Sequence, residues 1–184
     1  MRDEIKILIT GDFHPGNRTE ELINKGLYNE IFNDFLQIVQ GSDIAIINQE
    51  SPLTKSNVAI SKTGPSLKAN PKAIEALRFS GFNLVTLANN HIMDYGSQGL
   101  QDTIELCKQY HIDYCGAGKN LESASSIYYK QIKGTKLAII NIAENEFSTT
   151  DGDMWGANPL NPIANFYSIQ EASENADFVF VIVH

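Results

Sequence analysis

Short runs of β-branched and aliphatic residues alternate along this chain with longer stretches whose apolar residues recur every three or four positions. No other feature constrains the fold as much. An apolar run of strand length must be covered on both faces, and amphipathic helices are the elements that can cover it. Residues 5–10, 43–48, 82–88 and 112–115 read as strands. Between the first two, residues 19–39 carry Leu22, Ile23, Leu27, Ile31, Phe32, Phe35, Leu36 and Val39 in helical register, with a break expected near Gly26. Pro71 opens a helix that Gly81 stops, and residues 97–110 form a third. Strands alternating with helices predict an α/β fold with a largely parallel sheet.

The second half is less regular. Residues 127–132 and 136–143 flank Lys133-Gly134-Thr135, a hairpin signal. A polar loop at 144–161 is longer than a connector needs to be. Pro162 then opens a helix to about residue 175, and 177–183 is a last apolar strand ending at His184. A strand buried on both faces ordinarily feeds a further element. The expectation is a single domain, 1–184, forming the N-terminal portion of a longer domain that is incomplete at its C-terminus.

Composition narrows the function. With 14 Lys+Arg against 22 Asp+Glu the chain carries a formal charge of −8. That balance argues against a nucleic-acid partner, which needs a basic face, and leaves cation binding open. The apolar runs are strand-length, far short of the ~20 residues that span a bilayer. The start, Met1-Arg2-Asp3-Glu4, has no apolar leader, so a cytoplasmic location is expected. Cys107 and Cys115 are too few for a disulfide framework and wrongly spaced for a zinc knuckle.

In open α/β sheets ligands bind beyond the carboxyl ends of the strands. Here the first strand runs into Gly11-Asp12-Phe13-His14, the second into Asn48-Gln49-Glu50-Ser51, the third into Asn89-Asn90-His91-Ile92-Met93-Asp94, and the last into His184. All four ends deliver oxygen or nitrogen metal ligands. In extended chain Asp12 and His14 point the same way, as do Asn48 and Glu50. His91 and Asp94 share a face if a helical turn starts after Asn90, and Asp94 can then fix the tautomer of His91. Gly11 and Gly16 have the glycine spacing of a phosphate loop, but Asn17-Arg18 stands where Lys-Ser/Thr is required.

Gly11-Asp12, Asn48-x-Glu50-Ser51-Pro52-Leu53-Thr54 and Ala88-Asn89-Asn90-His91-x-x-Asp94-x-Gly96, in that order, resemble the bacterial capsule-synthesis or CapA-type poly-γ-glutamate proteins, a branch of the calcineurin-like metallophosphoesterase superfamily. Gly64-Pro65-Ser66-Leu67-x-Ala69-x-Pro71, Gly116-Ala117-Gly118 and Val181-Ile182-Val183-His184 also look like segments of that family. The resemblance implies a four-layer α-β-β-α sandwich holding two divalent ions: Mn, Fe or Zn. It implies Asp12 and His14 on the first ion, Glu50 bridging, and Asn90 and His184 on the second. His91 would protonate a leaving group or steady a developing charge, oriented by Asp94.

Such a site implies a metal-dependent hydrolase acting on a γ-glutamyl or phosphoester bond. The partners expected are an anionic polymer or a small phosphoester or peptide substrate, together with capsule-assembly proteins. Asn48, Asn89 and Lys62 are candidate substrate contacts, with Lys68 beside Lys62 as a second cation. The alternatives are a non-catalytic assembly or polymer-binding component that keeps the fold, and an inactive fragment. The 144–161 loop, with Phe147 and Trp155, is a candidate lid.

Overall fold

A computed structural model describes residues 4–184, so Met1-Arg2-Asp3 of the expected leaderless start lies outside the described residues. The chain begins with β1 (Ile7–Phe13), α1 (Asn17–Lys25), α2 (Tyr28–Phe32), α3 (Phe35–Gln40) and β2 (Ile44–Gln49). It continues through α4 (Ala73–Ser80), β3 (Leu84–Thr86), α5 (Gly96–Gln109) and β4 (Asp113–Cys115). These strands form one sheet in the order β1-β2-β3-β4, every neighbour parallel. Parallel pairing brings all four carboxyl ends to one edge.

The remaining elements are β5 (Ala117–Gly118), α6 (Leu121–Ala124), β6 (Tyr128–Ile132), β7 (Thr135–Ile142), β8 (Gly156–Ala157), α7 (Pro162–Asn175) and β9 (Phe178–Val183). A second sheet has the order β6-β7-β9, with β6 antiparallel and β9 parallel to β7. The expected hairpin joins β6 to β7, its turn made by Lys133 and Gly134 at φ 47° and 81°. Such left-handed residues match the twist of the strands they connect.

Period-two alternation sorts the strand residues into layers. Ala45 and Ile47 of β2 join Val85 and Leu87 in a core under the helices α1–α5. On the opposite face of the sheet, Ile44, Ile46 and Leu84 pack with Leu137 and Ile139 of β7, flanked by Phe180 and Ile182 of β9. The other face of β7 gives Ala138, Ile140 and Ile142, which pack with Ala172 of α7. Three cores thus separate four layers, helices-sheet-sheet-helix, as the resemblance implied. All six residues of β2 are buried, which is why that strand is apolar throughout its first four positions.

Some expected elements are drawn differently. The single helix over 19–39 is three helices. One break is Gly26, left-handed at φ 72° with its N–H on the Leu22 and Ile23 carbonyls, and the other is Asn33 at φ 48°. The 144–161 loop is not structureless: it contains β8, paired antiparallel with β5. Gly116, just before β5, has φ 89°, and a Cβ there would lie 2.1 Å from Asn141 Oδ1, so a side chain is excluded twice over.

Candidate metal centre

At the carboxyl edge of the first sheet, the pairing of β1 with β2 is irregular between Ile9 and Asp12. Beyond that irregularity Asp12 stands opposite Asn48 and Phe13 opposite Gln49. Bulges of this kind re-aim side chains. Asn48 Nδ2 donates to Asp12 Oδ1 at 2.7 Å, while Asn48 Oδ1 accepts from Thr86 Oγ1 at 3.3 Å and from Asn89 Nδ2 at 3.1 Å. With both ends of its amide engaged, Asn48 has one orientation, and it holds the Asp12 carboxylate in place.

Asp12, Glu50 and His184 each offer a ligand atom, and these atoms all lie within 4.8 Å of one another. His184 Nε2 is 3.6 Å from Asp12 Oδ1. His184 reaches the cluster from the second sheet, because it extends the pairing of β9 with β7: its N–H donates to the Ile142 carbonyl at 3.0 Å, and its carbonyl accepts from the Glu144 N–H at 3.0 Å. Two carboxylates held this close repel each other unless a proton or a cation lies between them. The mixed oxygen and nitrogen set suits Mn, Fe or Zn. Asn90 Oδ1 is buried with no hydrogen-bond partner among the described residues, an orphan acceptor of the kind a cation satisfies. His14 is exposed beside Ser51, its Nδ1 2.8 Å from Ser51 Oγ, which leaves Nε2 free. Asp12, Glu50 and His184 are therefore brought together, while His14 does not join that three-residue cluster.

The turn after β3 is built by its own side chains. Asn89 is fully buried and makes four hydrogen bonds. Its Nδ2 donates to Asn48 Oδ1 and to the Gln49 carbonyl (2.9 Å), and its Oδ1 accepts from the N–H groups of His91 (3.0 Å) and Ile92 (2.8 Å). Asn89 and Asn48, expected at the substrate, are engaged inside the framework instead. His91 Nδ1 lies 2.7 Å from Asp94 Oδ2, the expected pair.

Lys62 is expected at an anionic substrate, and the structure turns it inward. Its side chain is 3% exposed and forms an ion pair with the fully buried Asp94. Lys68 is also committed, donating to Asn57 Oδ1 at 2.8 Å and lying 4.8 Å over the Tyr95 ring. The physical reasons differ: Lys62 compensates the charge of a buried carboxylate, and Lys68 is drawn to the face of an aromatic ring.

Asn141 is a residue the sequence reading missed. From the middle of the two-sheet interface its Oδ1 accepts from the Ala88 N–H at 2.6 Å, and its Nδ2 donates to the Ile182 carbonyl at 3.2 Å. It thereby ties the end of β3 to β9, and so ties the 89–94 turn to the strand that carries His184. The signal available was that Asn141 is the single polar residue in Leu137-Ala-Ile-Ile-Asn-Ile-Ala143. The 144–161 loop crosses the same turn: Ser148 Oγ accepts from the Met93 N–H at 3.3 Å, and the Phe147 ring lies 5.7 Å from Lys62 Nζ. Trp155, by contrast, packs on the helix-side core. No helix among the described residues is long and apolar enough to cross a membrane.

Known proteins are similar to this chain in fold and in sequence. Two solved structures have the same fold: a "Putative 5'-Nucleotidase" from Staphylococcus aureus (TM-score 0.54, 16% identity, 98% of this chain and 37% of that one) and a "hypothetical protein" from Thermus thermophilus (TM-score 0.53, 18%, 98% and 57%). The "Capsule biosynthesis protein CapA" of Bacillus anthracis is 27% identical over 99% of this chain and 46% of its own length. The "PGA biosynthesis protein CapA" of Bacillus subtilis is 28% identical over 99% of this chain and 49% of its own. The chain thus spans about half the length of these curated relatives. A family model described as "Bacterial capsule synthesis protein PGA_cap" matches residues 6–184. With that match running from before β1 to the last residue of the cluster, the chain belongs to the PGA_cap family of bacterial capsule synthesis proteins.

Proposed function

We propose that this chain holds two divalent cations at the carboxyl edge of its first sheet and hydrolyses a γ-glutamyl or phosphoester bond there, in the making or trimming of a capsular anionic polymer. The convergence of Asp12, Glu50 and His184 from three strands of two sheets carries this reading. Bound ions of this kind lower the pKa of a coordinated water and neutralise charge that develops in hydrolysis. Asp12, Glu50 and His184, with His14 and Asn90 beside them, would hold the ions. Asn48 keeps Asp12 turned toward them. Asp94 occupies Nδ1 of His91, leaving Nε2 to exchange a proton with the leaving group. The relatives' names support a polymer of linked glutamates as the substrate, and capsule-assembly proteins as partners.

The test is elemental analysis of the purified chain after incubation with Mn²⁺ or Zn²⁺, beside Asp12→Ala, followed by turnover of a chromogenic phosphoester and a γ-glutamyl anilide. Near-stoichiometric metal that is lost in Asp12→Ala, together with metal-dependent turnover, is the expected result. Metal without turnover would overturn the hydrolytic part and favour a polymer-binding role. A folded chain that takes up no metal would overturn the whole reading.

A further inference from the structure

We propose that Lys62 is a positioning residue of this site: its buried ammonium holds one oxygen of Asp94 so that the other stays fixed on Nδ1 of His91. Lysines are rarely buried, because an unpaired internal ammonium costs several kcal/mol. Position 62 has an easy alternative, since Ser61, Thr63, Gly64 and Pro65 around it are all exposed. Yet this one side chain folds in to 3% exposure, against a carboxylate with none.

Asp94 is the hub of the segment. Its carbonyl accepts from the Ile60 N–H at 2.9 Å and its Oδ2 from the Leu67 N–H at 2.6 Å, so both ends of the 60–67 loop close on it with Lys62 between them. Oδ2 also faces His91 Nδ1 at 2.7 Å. Among the described residues Oδ1 has no hydrogen-bond partner, and its charge is met by the Lys62 ammonium. Without that ammonium the carboxylate is pinned on one side only. Lys62 Nζ also lies 3.2 Å from His91 Nδ1, and Phe147 covers its outer side. An Nδ1 that donates to Asp94 cannot also accept from Lys62, so the consistent assignment has the proton on Nδ1 and the bare nitrogen, Nε2, turned outward. The earlier pair is thus a three-residue unit.

The catalytic arm of this proposal rests on the hydrolytic reading above, while its structural arm does not. Ring ¹H–¹⁵N correlation spectra of the four histidines, with His91 assigned through His91→Gln, report the tautomer directly. The expected result is a single Nδ1-protonated signal for His91 in the wild type and in Lys62→Arg, and an averaged signal in Lys62→Met. Metal content should stay unchanged in both variants. Where turnover is present, kcat should fall about 10–100-fold in Lys62→Met with KM little changed, and recover in Lys62→Arg. If Lys62→Met does not fold, Lys62→Gln removes the charge but keeps a polar end, and should fold with the averaged signal. A wild-type tautomer signal persisting in whichever of these variants without the ammonium folds would overturn the proposal. Absence of turnover in the wild type would count against the hydrolytic reading alone.

Discussion

The carboxyl ends of β1 and β2 and the turn after β3 lie on the same edge of one sheet, yet they are built in opposite ways. At the first, Asp12 is half exposed and stands with Glu50 and His184 in a cluster whose lone pairs are largely unused. In the second, Asn89 and Asp94 are fully buried and their polar atoms are taken up by neighbours. On the proposed reading, a cation would sit among the side chains of the cluster. The turn contributes to folding, with Asn89 tying it to β2. The proposed binding role and the folding role thus fall to neighbouring residues that carry the same kinds of side chain.

That contrast breaks most sharply at Asp94. Asp94→Ala leaves the Lys62 ammonium buried without a partner and should cost about 3–5 kcal/mol in a urea melt. Asp12→Ala should do the reverse: the metal-free protein should melt within about 0.5 kcal/mol of the wild type. Mn²⁺ or Zn²⁺ at about 100 times its Kd should add about 2.7 kcal/mol to the wild type, be reversed by a chelator, and add nothing to Asp12→Ala. Equal metal stabilisation in both proteins would erase the distinction between the two regions.

Asn141 joins the regions, so its loss should register in both. Asn141→Ala leaves the Ala88 N–H unpaired and should cost about 1–3 kcal/mol, with metal bound about 10-fold more weakly because β9 loses its tether. A loss of stability with unchanged metal affinity would show that His184 is held by β7 pairing alone.

The smallest effect at neutral pH concerns Cys115, at the end of β4 on the same edge, and Cys107. Burial pushes both thiols up to about 12. An unfolded thiol ionises near about 8.5. The folded state therefore favours the neutral form, and the stability the thiols contribute is intact below about pH 8.5 and lost as pH rises from there toward 12. Urea melts at neutral pH and at a pH well above the unfolded thiol's midpoint should show that loss, and it should shrink in Cys107→Ala/Cys115→Ala.

Much of the architecture was legible because the physics is local. Val, Ile and Leu in short runs marked β1, β2, β7 and β9, and Gly26 and Gly81 marked helix ends through their left-handed backbones. The three residues of the cluster were legible because each lies at or just beyond the carboxyl end of a strand. What escaped was set by neighbours remote in sequence. Asn33 breaks a helical stripe without a glycine, and β8 becomes a strand only because β5 is there to pair with it. Lys62 in a polar loop reads as a substrate contact, since nothing local shows that Asp94, 32 positions on, lies beside it.

Periodicity and strand-end chemistry determined on their own that this chain would be an α/β protein with acidic, imidazole and amide groups along one sheet edge. Which of those groups converge was decided only when the two sheets packed. His184 meets Asp12 because β9 runs parallel to β7 and Asn141 locks that strand to the end of β3. Such contacts depend on the register between sheets. Interdigitating apolar side chains set that register, and no spacing within a single strand encodes it.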